Sequence, residues 1–300
     1  METNYHIPVL LDESVSALDM KENGTYVDAT MGGAGHTREI LRRLGKNGRL
    51  ISFDKDDDAV RNAPKDERLT VIHNNFRFIE NFLSVAGIKA DGILADLGVS
   101  SHQFDTGERG FSFRFDAELD MRMNRLSKTT AADILNTYTF EDLATLFREY
   151  GEIDKAGKAA DLICRFRQEH EIRTTEELSA AIAPILPKFA EHKFLAKVYQ
   201  ALRIEVNREM DALSDFLNGC GNSLKEGGRL SIITYHSLED RMVKNFMKTG
   251  NISGTEEKDL FGNVKNGLKI ITRKPILPTE EEISRNTRAR SAKLRVAEKR

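Results

Sequence analysis

The 300-residue chain has little cysteine and no long apolar run. Its two cysteines, Cys164 and Cys220, lie far apart without metal-ligand neighbours at short spacing, which excludes a disulfide framework and a cysteine zinc site. We expect two buried thiols and no bound metal. No stretch approaches the ~18 consecutive apolar residues of a membrane span, and residues 1–11 carry no legible secretory or transit signal. The sequence therefore favours a cytoplasmic protein that does not enter a membrane.

The chain also has almost no net charge. Its formal charge of −2 at pH 7 excludes whole-molecule basicity as evidence for nucleic acid binding. A local excess exists at residues 283–300, which hold seven basic residues against the single acid Glu298. With 40% hydrophobic and 31% charged residues the chain can build a core, and its length favours two domains of roughly 150 residues each.

Short β-rich runs alternate with amphipathic segments in the first third, a pattern typical of parallel strands joined by helices. The same pattern returns after Gly227. The predicted strands are residues 26–30, 49–54, 69–73, 92–97, 229–235, 268–273 and 292–296, and the predicted helices beside them are residues 37–44 and 237–247. A βα connection needs only a few residues, whereas 131 residues separate Leu97 from Arg229. One α/β sheet interrupted by a folded insertion explains both halves.

The insertion is predicted to be helical almost throughout. Thr130, Thr139 and Thr174 each have an acid three residues later, an arrangement that caps helix starts. Apolar residues from Leu195 to Leu217 keep to one stripe at helical spacing and predict one long helix. We therefore expect one domain at residues 1–107 and 211–300, and an inserted helical domain at residues 108–210.

A glycine-rich turn follows the first predicted strand and opens a helix. Gly33, Ala34 and Gly35 let the backbone approach a ligand closely, and the free amides of the helix favour a polar or negative group. An NAD fingerprint would need a third glycine where Arg38 stands. Asp54 ends the second strand, where a carboxylate can bind both ribose hydroxyls. The pair predicts a nucleoside cofactor, and the alternative for the turn is a simple tight bend.

Asp96 ends the fourth predicted strand. In an open parallel sheet the carboxyl ends of the strands form the ligand crevice, so Asp96 is expected to face it. There a carboxylate could orient an amine or take its proton, and the alternative is an Asp that caps the next turn.

Several blocks, in order and nearly end to end, resemble the MraW/RsmH family of S-adenosylmethionine-dependent N4-cytidine methyltransferases of bacterial small-subunit ribosomal RNA. They are residues 6–14 (HIPVLLDES), 28–37 (DATMGGAGHT), 96–101 (DLGVSS), 109–115 (RGFSFRF), 120–123 (DMRM), 201–209 (ALRIEVNRE), 236–241 (HSLEDR) and 288–298 (RARSAKLRVAE). The resemblance implies a Rossmann-like class I methyltransferase, that is, an α/β fold with a doubly wound, mostly parallel sheet, its last strand reversed, and an inserted all-helical domain.

The resemblance also assigns roles to residues. It implies that Gly33, Ala34, Gly35 and His36 line the methionine end of S-adenosylmethionine, that Asp54 holds the ribose, that Phe76 packs at the adenine, and that Asp96 and Gln103 complete the pocket. This chain has Ala29 and Ala34 where glycine is common in the family, and Ala117 and Glu118 where Gly-Pro is usual. Alanine is tolerated at position 34 if its φ is negative.

Methyl transfer to an exocyclic N4 would benefit from an acceptor for one N4 proton. Asp96 is the first candidate and His236 the second, with a structural histidine bonded to Glu239 or to backbone as the alternative for His236. The expected partner is small-subunit ribosomal RNA or the 30S subunit, and a homodimer is allowed. The candidate RNA contacts are Arg109, Phe111, Phe113, Arg114, Arg122, Arg288 and Arg290. Core anchoring is the alternative for the two phenylalanines, and a solvated or ion-paired side chain is the alternative for each arginine.

Three other functions compete. A dehydrogenase is disfavoured by the missing third glycine. A non-catalytic ribosome-assembly factor would have no use for Asp54 beside a glycine turn. A DNA amine methyltransferase would normally carry an Asn/Asp/Ser-Pro-Pro-aromatic motif where this chain has Asp96-Leu97-Gly98-Val99.

Overall fold

The computed structural model describes residues 8–98, 109–258 and 266–300. These residues separate into two compact units, the first within residues 1–98 and 211–300 and the second within residues 99–210. The predicted domain boundary between residues 107 and 108 lies outside the described residues. In the described ranges, no helix is both long enough and apolar enough to cross a membrane.

The first unit is built on a seven-stranded sheet with strand order β3-β2-β1-β4-β5-β7-β6. Its strands are β1 Thr25–Asp28, β2 Arg49–Asp54, β3 Leu69–His73, β4 Ala90–Asp96, β5 Leu224–Thr234, β6 Leu268–Ile270 and β7 Lys293–Lys299. β1 to β5 are parallel, whereas β7 runs antiparallel to both β5 and β6. The predicted mostly parallel sheet with its last strand reversed is confirmed.

The helices predicted at residues 37–44 and 237–247 are confirmed with slightly different bounds. The helices of the described residues are α1 Leu11–Ser16, α2 Gly35–Arg43, α3 Asp57–Arg61, α4 Ile79–Val85, α5 Ala131–Thr137, α6 Phe140–Glu149, α7 Ala156–Glu169, α8 Thr175–Ile182, α9 Glu191–Asn207, α10 Glu209–Ser223, α11 Ser237–Thr249 and α12 Glu280–Arg285. Short 3₁₀ turns occupy Phe76–Phe78, Ala183–Ile185 and Thr287–Ser291. Central strands such as β4 are buried on both faces, as expected for a parallel sheet.

The second unit has its own apolar core between helices α5 to α9. Leu135, Leu143, Phe147, Ile163 and Leu202 are all fully buried in it. The predicted caps are confirmed: Thr130, Thr139 and Thr174 each form a reciprocal capping box with the acid three residues on. Residues 111–129, in contrast, form turns and bends without a helix. The predicted all-helical insertion is therefore helical only from α5 onward.

The prediction of one long helix from Leu195 to Leu217 is wrong. Arg208 adopts a left-handed conformation with φ 49° and ψ 47°, which ends α9 and separates it from α10. The side chain of Asn207 stabilises the break, because its Nδ2 donates to Met121 O at 2.8 Å and its Oδ1 accepts from Met123 N at 2.7 Å. The apolar stripe continues on both sides of the break, so periodicity alone gave no sign of it. Of the two thiols, Cys220 is buried and Cys164 only half-buried.

Candidate functional site

The carboxyl ends of β1, β2, β4 and β5 place a set of polar side chains along one edge of the first unit. The strand order reverses between β1 and β4, which are parallel neighbours although β2 and β3 lie between them in sequence. Such a reversal is where open α/β sheets bind ligands. Asp28, Asp54 and Asp96 each end one of these strands.

The glycine-rich turn between β1 and α2 uses two left-handed residues, Gly32 with φ 48° and Ala34 with φ 60°. The condition that Ala34 has a negative φ is therefore not met, and the conformation costs an alanine about 1–2 kcal/mol. Gly35 is required for a different reason. A Cβ on Gly35 would lie 2.2 Å from Cγ of Pro8. The rigid proline ring cannot rotate away to relieve this clash. The turn is thus held in a strained, close-packed shape of the kind found at ligand sites.

Asp54 joins the second strand to this turn. Its Oδ2 accepts from the backbone N–H of Gly32 at 2.7 Å, and its Oδ1 accepts from the N–H of Asp56 at 2.9 Å. Burial raises the pKa of the Asp54 carboxyl. Each carboxylate oxygen retains capacity for a further hydrogen bond. The carboxylate is therefore positioned by backbone and can still accept from a diol, which fits a ribose.

Asp28 ties the same turn to the sheet. Its carboxyl group is fully buried and accepts from Thr37 Oγ1 at 2.6 Å and from the N–H of Thr30 at 3.1 Å. Burial raises the pKa of Asp28. His36, the second residue of α2, lies with Nε2 3.2 Å from Val9 O and Nδ1 4.0 Å from Asp96 Oδ2. Asp28 and His36 thus fix the start of α2 next to the end of β4.

Asp96 is 17% exposed at the end of β4. Its Oδ1 accepts from the phenol of Tyr235 at 2.7 Å, and its own N–H donates to Thr30 Oγ1 at 2.7 Å. Among the residues that the structure describes, no backbone N–H donates to this carboxylate, and the alternative of a cap on the next turn falls largely on residues 99–101, outside them. The carboxylate is tied to the residue that follows β5.

Phe76 opens the 3₁₀ turn beyond β3, and its ring lies edge-on to Phe216 with centroids 5.0 Å apart. The ring is half-buried, so one part of it stays available to an adenine. Gln103 lies outside the described residues.

His236 caps the start of α11. Its Nδ1 faces the N–H of Glu239 at 3.4 Å, and its Nε2 lies 3.1 Å from Glu239 Oε1 without hydrogen-bond alignment. Glu239 in turn accepts from the N–H of Tyr235 at 2.9 Å. This geometry matches the structural alternative for His236, and its catalytic role stays a prediction.

In the second unit, the candidate aromatic contacts lie in or against the core. Phe111 is 5% exposed, and Phe113 packs edge-on to Tyr199 with centroids 5.5 Å apart. Arg109 lies over the Phe111 ring and donates to the backbone carbonyl of Arg122. Phe111 is thus a core residue, whereas Phe113 is partly buried against the core, and its contact with RNA stays a prediction.

The candidate arginines differ in how exposed their side chains are. Arg122 forms a bidentate ion pair with Asp120, whereas Arg114, Arg288 and Arg290 are exposed. Much of the basic tail is structural, since its last residues form β7, and Arg295 there pairs with Asp240 at 2.6 Å. Only part of the basic excess thus consists of exposed side chains outside β7.

Sequence reasoning missed Tyr235 and Thr30, whose side chains form hydrogen bonds with Asp96. A signal for Tyr235 existed, because it directly follows an apolar run that predicts β5, the parallel neighbour of β4. No pattern indicates that its hydroxyl would reach Asp96, since that contact joins residues 139 apart in sequence.

Comparisons with known proteins identify the family to which the chain belongs. The model of the MraW methylase family matches residues 3–300. The chain is 55% identical over 299 residues to the ribosomal RNA small subunit methyltransferase H of Bacteroides fragilis (strain YCH46) and 56% identical over 299 residues to that of Bacteroides thetaiotaomicron; in both cases 99% of this chain and 98% of the relative are covered. The solved structure of an rRNA methylase from Streptococcus thermophilus is a more distant likeness, with a TM-score of 0.43 and 12% identity over 98% of each chain. By its match over almost its entire length, the chain belongs to the MraW methylase family.

Proposed function

We propose that this protein transfers a methyl group from S-adenosylmethionine to the N4 amine of a cytidine in small-subunit (16S) ribosomal RNA. The observation that carries the proposal is the family match over residues 3–300, together with relatives at about 55% identity that are named small-subunit ribosomal RNA methyltransferases. The arrangement of Asp54 beside the glycine turn supports a nucleoside cofactor independently of that match.

The residues at the strand ends fit S-adenosylmethionine. Asp54 would accept from the ribose hydroxyls, Phe76 would pack at the adenine, and Gln103 would complete the pocket. The turn formed by Gly33, Ala34, Gly35 and His36 would line the methionine end. When bound, S-adenosylmethionine supplies a methyl group activated by its sulfonium sulfur.

The protein's own contribution to the transfer is alignment and proton acceptance. N4 of cytosine is a weak nucleophile because its lone pair is delocalised into the ring. A methylated N4 would carry a positive charge until one of its protons leaves, so an acceptor for that proton would be needed beside the amine. Asp96 is the group proposed to accept that proton, through Oδ2, and His236 is the second candidate.

The second unit and the exposed arginines are proposed to hold the RNA. A base paired in a helix cannot reach a crevice, so the target cytidine must be single-stranded or flipped. Arg114, Arg288 and Arg290 would neutralise backbone phosphates, which makes RNA binding salt-sensitive. This substrate places the protein in the cytoplasm. The homodimer stays a prediction that sedimentation would test.

A substrate panel tests the proposal. Methylation would be followed with free cytidine, DNA, naked ribosomal RNA and intact small subunits, and the product nucleoside identified by mass. We expect N4-methylated cytidine, formed most efficiently on subunits or their RNA. Efficient turnover of DNA or free cytidine with none on subunits would reject the substrate. No transfer to any of the four would reject the reaction.

A further inference from the structure

One side chain alone holds the carboxylate of Asp96 among the described residues. The phenol of Tyr235 donates to Asp96 Oδ1 at 2.7 Å. We propose that Tyr235 is a positioning residue for methyl transfer, which holds Asp96 so that Oδ2 faces the reacting amine. This inference rests on the proposed function, and in particular on the proton-accepting role of Asp96.

Tyr235 is itself anchored by backbone. It directly follows β5, whose Ile233 pairs with Asp96 of β4, so the two side chains leave neighbouring strands at the same end. Its N–H donates to Glu239 Oε2 at 2.9 Å, which ties it to the cap of α11. Its ring lies against Gly98, where a Cβ would come within 3.0 Å of Tyr235 Cε2. The absence of a side chain at position 98 thus leaves room for the ring that reaches Asp96.

The hydrogen bond between Tyr235 and Asp96 uses Oδ1 of the carboxylate, so Oδ2 is the oxygen proposed to face the substrate. Burial, and next to it the negative charge of Asp96, raises the pKa of the Tyr235 phenol well above its usual value, so the phenol stays neutral and donates its proton to Oδ1. Oδ2 lies 4.0 Å from His36 Nδ1, which is too far for a direct hydrogen bond. No group in the described residues donates to Oδ2. With respect to the described residues, Oδ2 therefore keeps lone pairs that an amine proton can reach.

Tyr235→Phe tests this role because it keeps the ring and removes only the hydroxyl. We expect the single-turnover rate of N4 methylation on small subunits to fall about 10- to 100-fold, the loss typical of one hydrogen bond to a charged group. The KM for the subunit should stay at the parent value, and the affinity for S-adenosylhomocysteine should fall much less than the rate. The matched control is Tyr26→Phe, which removes a buried phenol bonded to the Lys21 N–H at 2.7 Å near the start of β1. It should retain the parent rate.

A double-mutant cycle separates positioning from a merely structural effect. If Tyr235 acts through Asp96, then Asp96→Asn with Tyr235→Phe should be as slow as Asp96→Asn alone. Independent, multiplying losses would overturn the inference, as would a Tyr235→Phe enzyme at the parent rate. In both cases the parent still methylates cytidine, so the proposed function survives. A parent enzyme that fails to methylate N4 would instead reject the proposed function and this inference with it.

Discussion

The strand ends of the first unit and the core of the second unit use opposite kinds of residue. In the second unit, capping boxes form at three helix starts and the core consists of apolar side chains, while the left-handed residues Met121, Glu152 and Arg208 lie outside its helices. The strand ends hold Asp28 and Asp54, whose pKa values burial raises, and the left-handed Ala34. Each of these features costs stability. The strand ends therefore bury carboxyl groups, whereas the core of the second unit buries apolar side chains.

The largest effect is expected from a substitution in the apolar core of the second unit. Phe147 is fully buried in the second unit, so Phe147→Ala should lower the free energy of unfolding by about 3–5 kcal/mol. Phe140 on the same helix is 43% exposed, and Phe140→Ala should cost under about 1 kcal/mol. Denaturant unfolding measures both. In the folded Phe147→Ala protein, affinity for S-adenosylmethionine should be unchanged, and a large loss of affinity would break the comparison.

Asp54→Ala makes the reverse test at the strand ends. It removes the acceptor proposed for the ribose, and each lost charge-assisted bond is worth about 1.5–3 kcal/mol. We expect calorimetry to show at least tenfold weaker binding of S-adenosylmethionine. The control Asp58→Ala changes an exposed carboxyl of α3 that pairs with Arg61 at 3.5 Å, and should bind as the parent does. Unchanged affinity in Asp54→Ala would remove the ribose assignment.

The buried Asp28 predicts a pH dependence of stability with a definite sign. Because its folded pKa is raised, its contribution to stability is greatest below the pKa of the unfolded chain and is lost as pH rises through the folded pKa. Raising the pH from 4 to 8 should therefore lower the free energy of unfolding of the parent more than that of Asp28→Asn, because asparagine does not titrate. Each unit of raised pKa contributes about 1.4 kcal/mol to that shift. A difference independent of pH would contradict the assigned effect of burial.

The smallest effect concerns two alanines that replace family glycines. Both Ala29 and Ala34 are buried, but only Ala34 has a positive φ. Ala34→Gly should therefore give a protein more stable than Ala29→Gly by about 1–2 kcal/mol, since each loses one methyl group and only one relieves backbone strain. Thermal unfolding of the two variants measures the difference. Equal stabilities would mean that Ala34 is not strained.

Local patterns predicted the regular elements well. The strands at residues 49–54 and 69–73 have the predicted bounds, and the three threonine caps form as expected. These features depend on neighbouring residues, which a sequence displays directly. The reversed last strand came from the family resemblance, because periodicity carries no strand direction.

The structural features that could not be predicted depend on contacts between residues far apart in the sequence. The break at Arg208 is stabilised by Asn207 bonding to Met121 and Met123, more than eighty residues earlier. The positive φ of Ala34 belongs to a turn held by Asp54, and the bond between Tyr235 and Asp96 joins two strand ends. At the candidate site, the positions of Asp54 and Asp96 were predictable because each residue ends a predicted strand, whereas their hydrogen-bond partners were not.

The most direct test is nucleoside mass analysis of small-subunit ribosomal RNA from cells that have or lack this protein. Cells without it would be complemented with the parent, with Asp54→Ala or with the control Asp58→Ala. We expect N4-methylated cytidine to disappear on deletion, to return with the parent and with Asp58→Ala, and to stay low with Asp54→Ala. N4-methylated cytidine at the parent level in cells that lack the protein would contradict the proposed function.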